Sequence, residues 1–472
     1  MASSTTTVTS TPDPSVAGQE VTFTATVQPE VADGPSPTGT VDFVLDGAPV
    51  ATVPLDASGQ AQYATAALDV DLHGMEATYS GDAEYESSTG ADTQEVTLAN
   101  TTTTLVVDPE PSLCGETVTL TAQVTPVPPG AGTPTGSVSF IVSDDGPVMS
   151  APVDATGQAQ VTISDLPVGL HRAAAFYTGD AEFNASNSPL MVLVVEQAPV
   201  TLTASAGPDP SVCGQEVELC ATVTQTLPGS GTPTGTVTFT GPGGLTASAP
   251  LDADGTACVT TTVLETGTVT ATYDGDECYG PATVSFDVTV GPATSAVSLT
   301  VDPTPSLCGQ SVTVCATVTA VAPGNGTPTG TVIFTGPGGL NETVELAADG
   351  TACTTTDVLQ TGTVTAIFGG DPCFTPSTGT ADVTVAPAGS IVSLTADPTP
   401  SVCGQPVTVC ATVTPVAPGS GTPSGTLTLT GPGLDQTIGL APDGTTCITA
   451  DNLTTGTITA TYNGDTCFTP ST

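Results

Sequence analysis

The residues of this chain that could do chemistry are its thirteen cysteines, which outnumber its two histidines and its single basic residue. Cysteines bind metal ions, act as nucleophiles or form disulfides, and their spacing helps to distinguish these roles. Zinc sites use C-x2-C pairs or cysteines near histidines, and this sequence has neither. The recurring spacing is C-x6-C, as between Cys213 and Cys220. We therefore expect no metal site and no cofactor, and we expect disulfides.

The charge balance excludes two classes of partner. Lys and Arg together supply one residue, Arg172, against 47 Asp and Glu, so the net charge is −46. Nucleic acids and anionic membrane surfaces are bound by clusters of basic side chains, which one cation cannot form. No apolar run has the length of a membrane-spanning helix. We therefore expect no nucleic-acid partner and no membrane insertion within this segment.

The cysteines lie in a chain that repeats one unit five times. Three markers recur in register at intervals of 94 to 99 residues: P-S-x-x-G followed by Q or E, P-T-G or P-S-G, and an aromatic residue two positions before G-D or a close variant. The first marker ends at Gln19, Glu116, Gln215, Gln310 and Gln405. Such a period indicates an array of similar domains. The predicted domains are residues 1–100, 101–198, 199–292, 293–388 and 389–472.

Each unit has the pattern of a set of short strands. Apolar and polar residues alternate in segments such as 217–223, as they do in strands with one buried face. Clusters of Gly, Pro, Ser and Thr separate these segments. In the third unit we predict strands A to G at residues 199–206, 216–224, 235–240, 245–250, 256–263, 267–273 and 282–290. Seven short strands without a helix predict an all-β, immunoglobulin-like (Ig-like) sandwich, so the whole chain is expected to be a rod of five such domains.

Three segments of the third unit resemble the bacterial Ig-like domain repeat family. They are P-S-V-C-G-Q-E-V at 210–217, G-T-P-T-G-T-V-T-F at 231–239 and T-A-T-Y-D-G-D at 270–276. The resemblance extends over essentially the whole chain, and the first unit is closer still at 21–27 and 77–82. In that family such arrays are spacers and stalks of secreted or cell-surface proteins. The resemblance therefore implies an extracellular, cell-surface location and no particular chemistry.

One pair of cysteines in each of the last three units is predicted to close within its domain. Cys220 takes the place of the outward-facing Thr24 of strand B in the first unit, and Cys258 replaces the outward Gln62 of strand E. Strands B and E are neighbours in one sheet of this fold, so these cysteines lie within reach of each other. The predicted intradomain disulfides are Cys220–Cys258, Cys315–Cys353 and Cys410–Cys447.

The other cysteines lie in the A–B turn and the F–G loop, which alternate strand directions place at opposite ends of a domain. Cys213 and Cys278 are then about 20 Å apart, too far for a disulfide. However, the A–B end of one domain faces the F–G end of the next. The predicted interdomain disulfides are Cys114–Cys278, Cys213–Cys373 and Cys308–Cys467. This assignment leaves Cys403 unpaired or pairing beyond this chain.

Two other interpretations of these cysteines stay open at this point. They could be small buried apolar residues rather than disulfide partners. Alternatively, Cys213 could pair with Cys278 inside its own domain, which would leave Cys114 as the residue without a partner and without an evident role.

No group of residues predicts catalysis. His73 and His171 each precede the tyrosine of the third marker by six residues, so we interpret both as structural residues of the E–F loop. No serine or cysteine has a histidine in an evident catalytic motif. The acidic pairs Glu84/Glu86 and Asp144/Asp145 fall in loops, where solvation explains them. We predict no catalytic residue and no enzyme activity.

These features predict a structural extracellular protein, a disulfide-stiffened stalk or filament subunit of a microbial cell surface. The fifth unit ends at Thr472 before its strand G, so we expect chain continuation or a strand donated by another molecule to complete it. Expected partners are further copies of the same domain or chain, with a glycan or surface protein as another candidate. The alternative function is an adhesin whose Ig-like domains bind a glycan or a host or partner protein.

Overall fold

A computed structural model of the protein describes residues 1–143 and 146–472. The acidic pair Asp144/Asp145, which the sequence analysis assigns to a loop, lies outside the described residues. Regular structure in the described part is almost entirely β-strand, and its one helical element is a short 3-10 turn at Pro242–Gly244. Among these residues, no helix has both the length and the apolar character needed to cross a membrane.

The strands fall into five consecutive groups, which we call domains 1 to 5. Domain 1 has β1 (Ser4–Thr11), β2 (Ser15–Val16), β3 (Val21–Pro29), β4 (Thr40–Leu45), β5 (Ala48–Pro54), β6 (Gln60–Thr65), β7 (Leu72–Tyr79) and β8 (Ser88–Thr97). Domain 2 has β9 (Thr101–Asp108), β10 (Ser112–Leu113), β11 (Val118–Pro126), β12 (Ser137–Val142), β13 (Val148–Pro152), β14 (Gln158–Ile163), β15 (Gly169–Tyr177), β16 (Ser186–Asn187) and β17 (Met191–Glu196).

Domains 3 to 5 continue the same pattern. Domain 3 has β18 (Val200–Gly207), β19 (Ser211–Val212), β20 (Val217–Gln225), β21 (Thr236–Gly241), β22 (Leu245–Pro250), β23 (Thr256–Thr261), β24 (Gly267–Tyr273), β25 (Ala282–Val288) and β26 (Val290–Gly291). Domain 4 has β27 (Ser295–Asp302), β28 (Ser306–Leu307), β29 (Val312–Ala320), β30 (Thr331–Gly336), β31 (Leu340–Glu345), β32 (Thr351–Thr356), β33 (Gly362–Phe368), β34 (Ser377–Val383) and β35 (Val385–Ala386). Domain 5 has β36 (Ser390–Asp397), β37 (Val407–Pro415), β38 (Thr426–Gly431), β39 (Leu434–Gly439), β40 (Thr445–Ala450) and β41 (Thr459–Tyr462).

Domain 3 shows the arrangement of the sandwich. One sheet has the order β18-β20-β23, and the other has the order β22-β21-β24-β25. Leu219 and Val223 of β20 are buried between the sheets with Phe239 of β21, while Glu218 of β20 is exposed. This period-two burial follows the alternation in the sequence. The predicted strand D, which is β22, pairs with β21 because a tight turn joins the two as a hairpin.

A two-residue strand ties the start of each of the first four domains to its end. In domain 3, Ser211 and Val212 of β19 pair in parallel with Val290 and Gly291 of β26. Strands β2, β10 and β28 make the equivalent parallel pairs in domains 1, 2 and 4. Each of these short strands therefore holds the A–B turn of its domain against the segment that leaves for the next domain.

Within the described residues, domain 5 has no counterpart of the last long strand of the other four domains. Its sheet has the order β39-β38-β41, and within the described residues β41 is joined on its other side by one bridge, between Tyr462 and Ser471. Each of the five sandwiches has its own apolar core. The prediction of an all-β chain of five tandem Ig-like sandwiches, the last without its C-terminal strand, is confirmed.

Candidate functional site

The first group of cysteines lies on the outer face of the three-stranded sheets. Cys220 of β20 and Cys258 of β23 are direct register partners, and a disulfide joins them with a Cα–Cα distance of 4.2 Å. Domains 4 and 5 repeat this bond at 4.1 Å, as Cys315–Cys353 and Cys410–Cys447. These distances fall slightly below the common range for disulfides because facing residues of antiparallel strands approach closely.

The second group joins successive domains. Disulfides link Cys114 to Cys278, Cys213 to Cys373 and Cys308 to Cys467, each with a Cα–Cα distance of 5.4 Å. In each pair the first cysteine lies in the A–B turn of one domain and the second in the F–G loop of the next. Cys403, in the A–B turn of domain 5, is exposed and takes part in no disulfide with the described residues.

Backbone hydrogen bonds place these cysteines on either side of a very short linker. The N–H of Cys114 donates to the carbonyl of Glu196, the last residue of β17, at 2.9 Å. The N–H of Ala198 donates to the carbonyl of Cys278, also at 2.9 Å. Only Gln197 separates the two attachment points, so the two cysteines meet beside the linker. The junctions at Cys213–Cys373 and Cys308–Cys467 repeat both bonds.

A glycine in the A–B turn allows the next domain to approach closely. Gly214 has φ +70°, and a side chain there would overlap the backbone carbonyl of Asn325 in the B–C loop of domain 4. The Asn325 N–H donates to the Cys213 carbonyl at 3.3 Å. Glycine satisfies both the left-handed conformation and the close contact. Gly404 in domain 5 has a similar φ of +80° and open space around it.

An aspartate organises each F–G loop. Asp276 accepts hydrogen bonds from the N–H and the hydroxyl of Thr234 at 2.8 and 2.7 Å, and from the N–H groups of Cys278 and Tyr279 at 2.8 and 2.7 Å. Burial alone would raise the pKa of Asp276, but these bonds lower it overall. The carboxylate therefore fixes the loop that presents Cys278. Sequence reasoning used this aspartate only as a repeat marker, although its recurrence beside the loop cysteines was the available signal.

The two histidines are the remaining candidates for chemistry. Both lie near the start of strands, His73 in β7 and His171 in β15, and each pairs with a residue of the last strand of its domain. Their assignment to the E–F loop is therefore wrong. His73 Nδ1 lies 2.7 Å from an Asp46 carboxylate oxygen, and Nε2 lies 2.9 Å from the Asp69 carbonyl. Burial alone would lower the pKa of His73, but these bonds and the nearby charges raise it overall. Both ring nitrogens are engaged within the domain, which is the arrangement of a structural histidine.

In the described part of the chain, one group of side chains lies close enough together to be considered as metal ligands. Glu218, Cys220 and Cys258 bring one carboxylate oxygen and two sulfurs within 4.8 Å of one another. Both sulfurs belong to the disulfide, and metal binding by cysteine needs the thiolate. This set therefore offers one carboxylate oxygen to a metal ion.

Open clefts lie beside the interdomain disulfides. The cleft next to Cys114–Cys278 has a volume of 710 Å³ and is lined partly by Leu166, Val168 and Glu277. Those next to Cys213–Cys373 and Cys308–Cys467 have volumes of 480 and 440 Å³. Each cleft is the space that two rounded domain ends leave around their contact.

Comparison with known families identifies the repeat. The model of the family described as "Bacterial Ig-like domain (group 3)" matches five times, at residues 8–99, 105–196, 202–291, 299–386 and 394–472. The chain belongs to this family. The resemblance stated from the sequence is thereby confirmed, and most of the chain lies within a matched domain. No curated protein sequence matches the chain.

Solved structures show likenesses of low similarity to this bacterial Ig-like array. FdeC, described as an Escherichia coli adhesin, is 16% identical over 60% of this chain and 96% of its own, with a TM-score of 0.23. The fibronectin(III)-like modules of Clostridium thermocellum CbhA are 17% identical over 40% and 92%, with a TM-score of 0.17. Titin domains A168–A170 are 11% identical over 61% and 99%, with a TM-score of 0.27. These likenesses carry no argument about function.

Proposed function

We propose that this chain is a segment of an extracellular stalk or filament of a microbial cell surface, with a mechanical role and no enzyme activity. The observation that carries the proposal is the arrangement repeated at the junctions between domains. Backbone hydrogen bonds hold both ends of the linker, and a disulfide beside the linker joins the two domains directly. Domains joined by short linkers normally retain some relative motion. A covalent bond beside the linker restricts that motion at three successive junctions.

The disulfides also support an extracellular location. All but one of the thirteen cysteines belong to six disulfides, in a chain with thin sandwich cores. Disulfides persist in oxidising compartments and are rare in the cytosol, where thiols are kept reduced. A structural disulfide commonly contributes about 2–5 kcal/mol to a small secreted domain. A secreted or surface-exposed array gains this stability, whereas a cytosolic one would lose it.

The free end of domain 5 supports a further domain of the same kind as partner. Val402 is 74% exposed, whereas its counterparts Val212 and Leu307 are partly buried against the core of the following domain. Cys403 and the uncovered Gly404 lie beside it. We propose that an Ig-like domain with a cysteine in its F–G loop docks here, either further along the same chain or from another chain. A strand donated to β41 is the alternative contact.

Small-angle X-ray scattering of the full chain, oxidised and reduced, tests the mechanical role. We expect oxidised protein to need a narrow distribution of end-to-end distances and reduced protein to need a broader one. The double variant Cys213→Ala/Cys373→Ala should introduce one hinge without a reductant, and Cys220→Ala/Cys258→Ala is the matched control that keeps every junction disulfide. Equal flexibility of oxidised and reduced chains would contradict the proposal.

The second candidate function is adhesion, and a surface of domain 2 favours it. Leu170 of β15 and Val192 of β17 are 75% and 56% exposed, on the sheet that also carries Arg172. The equivalent strands of domain 3 expose polar residues such as Thr268 and Asp287. Exposed apolar residues around a single cation suit a partner protein with an acidic group. Leu170→Thr/Val192→Thr should then reduce binding of the chain to intact cells, and equal binding by this variant and the wild type would remove the candidate.

A further inference from the structure

Domain 1 contains a buried nucleophile against a buried carboxamide. Ser15 of β2 is 2% exposed and Gln94 of β8 is 0% exposed. The Gln94 side-chain nitrogen Nε2 donates to Ser15 Oγ at 3.1 Å and to the Glu95 carbonyl at 2.8 Å. The other carboxamide atom, Oε1, has no hydrogen-bond partner among the described residues. A buried polar atom without a partner is costly, so its retention needs an explanation.

The glutamine is particular to domain 1, whereas the serine is not. Ser112, Ser211 and Ser306 occupy the position of Ser15 in domains 2 to 4, and all are buried. The residues that pair at the position of Gln94 are the apolar Leu193, Val288 and Val383. Domain 1 therefore places an amide where the others have a hydrocarbon side chain. It is also a domain without a cysteine.

We propose that Ser15 and Gln94 form an intramolecular ester crosslink. Ser15 Oγ attacks the carboxamide carbon Cδ of Gln94, the Oγ–Cδ bond forms, and the Cδ–Nε2 bond breaks. The hydroxyl proton leaves with Nε2, so one molecule of ammonia is released and nothing is oxidised or reduced. The geometry favours this step because a hydrogen bond already holds the serine hydroxyl beside the carboxamide. Two groups that are held close together can react far faster than the same groups free in solution.

The residues around Ser15 and Gln94 would protect the ester from water, and they allow the hydroxyl proton to pass directly to the leaving nitrogen. Both residues are shielded from water, so the ester would not be exposed to hydrolysis. His73, the register partner of Gln94, has its ring nitrogens engaged by Asp46 and by the Asp69 carbonyl. Once Oγ has bonded to Cδ, Nε2 is no longer conjugated with the carbonyl and becomes basic, and it lies close enough to Oγ, at 3.1 Å before the attack, to take the hydroxyl proton directly.

The crosslink would join β2, which follows the first strand of domain 1, to β8, through which the chain leaves the domain. Ser15 pairs in parallel with Val96, and the Thr97 hydroxyl donates to the Ser15 carbonyl at 3.1 Å, so β2 already lies along β8. A pull on the two ends of the chain passes through these strands. The ester would carry that load in a domain that no disulfide ties.

Intact-mass spectrometry of the reduced full chain tests the crosslink. We expect wild-type protein to be lighter than its sequence mass by one ammonia, and we expect Ser15→Ala and Gln94→Val to have their full sequence masses. A peptic peptide joining the segments around residues 15 and 94 should be split by hydroxylamine, which cleaves esters. Ser112→Ala is the matched control, because it removes the same hydroxyl from a domain with Leu193 in place of the glutamine.

Two results would overturn the proposal. One is a wild-type chain at its full sequence mass. The other is a loss of ammonia that persists in Ser15→Ala, because ring closure at Asn325–Gly326 or Asn463–Gly464 releases ammonia without any contribution from Ser15. The wild-type measurement does not depend on whether either variant folds.

Discussion

The junction between domains 1 and 2 and the junction between domains 2 and 3 share a backbone arrangement and differ in their covalent bond. At the first, Ala17 N–H donates to the Thr97 carbonyl at 3.0 Å and Ala99 N–H donates to the Glu182 carbonyl at 2.9 Å. At the second, Cys114 and Cys278 take the places of Ala17 and Glu182, with the same two bonds and a disulfide added.

Because both junctions share the backbone hydrogen bonds, we infer that these bonds set the orientation of neighbouring domains and that the Cys114–Cys278 disulfide then fixes it. Ala17 is buried in the core cluster of domain 2, so the first junction is closed by apolar packing. The first junction also has the contact with the B–C loop of the following domain, because the Ala131 N–H donates to the Ala17 carbonyl at 3.3 Å. The first junction thus has the same contacts without a disulfide, so we expect domain 1 to turn more freely than domains 2 to 5.

The largest effect should come from giving the first junction a cysteine pair. Ala17→Cys/Glu182→Cys should form a disulfide without rearrangement, and it should oppose separation of domains 1 and 2 by about 4 kcal/mol, since it closes a long loop. Non-reducing mass spectrometry measures the bond, and Ala17→Cys alone is the control that keeps a free thiol. A pair that stays reduced while Cys114–Cys278 is oxidised would show that the junctions differ in geometry.

The next largest effect should come from replacing the cross-strand disulfide of domain 3 with the residues of domain 1. Cys220→Thr/Cys258→Gln introduces the pair found at Thr24 and Gln62, where Gln62 Nε2 donates to Thr24 Oγ1 at 3.3 Å. We expect domain 3 to lose about 3 kcal/mol of its free energy of unfolding. Hydrogen exchange resolved by peptide measures this loss, with domain 4 as the internal reference. Unchanged exchange in β20 and β23 would mean that the disulfide adds no stability.

A smaller loss of stability is expected when the glycine of an A–B turn is replaced by alanine. Comparing two such glycines distinguishes the cost of backbone strain from the cost of a lost contact between domains. Gly214→Ala should cost about 2 kcal/mol through its left-handed φ, and it should also disturb the approach of Asn325. Gly404→Ala is the matched control, because it has the same kind of φ with open space around it. Hydrogen exchange in the A–B turn that carries each substitution measures the difference. Equal behaviour of the two variants would show that the B–C loop contact does not hold the junction.

The smallest effect should be a pH dependence above pH 6.5, which we expect in domain 1 because His73 lies there. The pKa of His73 is raised above its ordinary 6.5, so its contribution to stability is present below that value and is lost as pH rises through the folded-state pKa. His73→Gln should flatten the pH dependence of hydrogen exchange in domain 1. His171→Gln in domain 2 is the control, because His171 bonds to the Ser143 hydroxyl rather than to a carboxylate. A slope that survives His73→Gln would point to another titrating group.

Much of the fold could be predicted from the sequence because its signals are local and repeated. Alternation along β20 and β24 identifies strands with one buried face, and markers in register identify the repeat. The two-residue strands such as β19 were missed because two residues show no period. The pairing of β22 with β21 was not foreseen, because the alternation in a strand does not say which neighbour it joins.

Part of the candidate site, the pairing of its cysteines, could also be predicted from the sequence, because it depends on strand order and direction. Strand order and direction place Cys220 near Cys258, and they place Cys213 at the opposite end of its domain from Cys278. They do not show that Asp276 holds the F–G loop, because that role depends on loop conformation. The buried contact between Ser15 and Gln94 also joins distant parts of domain 1, and no spacing in the sequence indicates it.

Non-reducing peptide mapping is the best test of whether disulfides lock the last three junctions of the array. Pepsin is the suitable protease, because the chain has a single basic residue for trypsin to cut after. We expect peptides that join Cys114 to Cys278, Cys213 to Cys373 and Cys308 to Cys467, with Cys403 as a free thiol. Peptides that join Cys213 to Cys278, or free thiols at all of these positions, would contradict it and leave a flexible array.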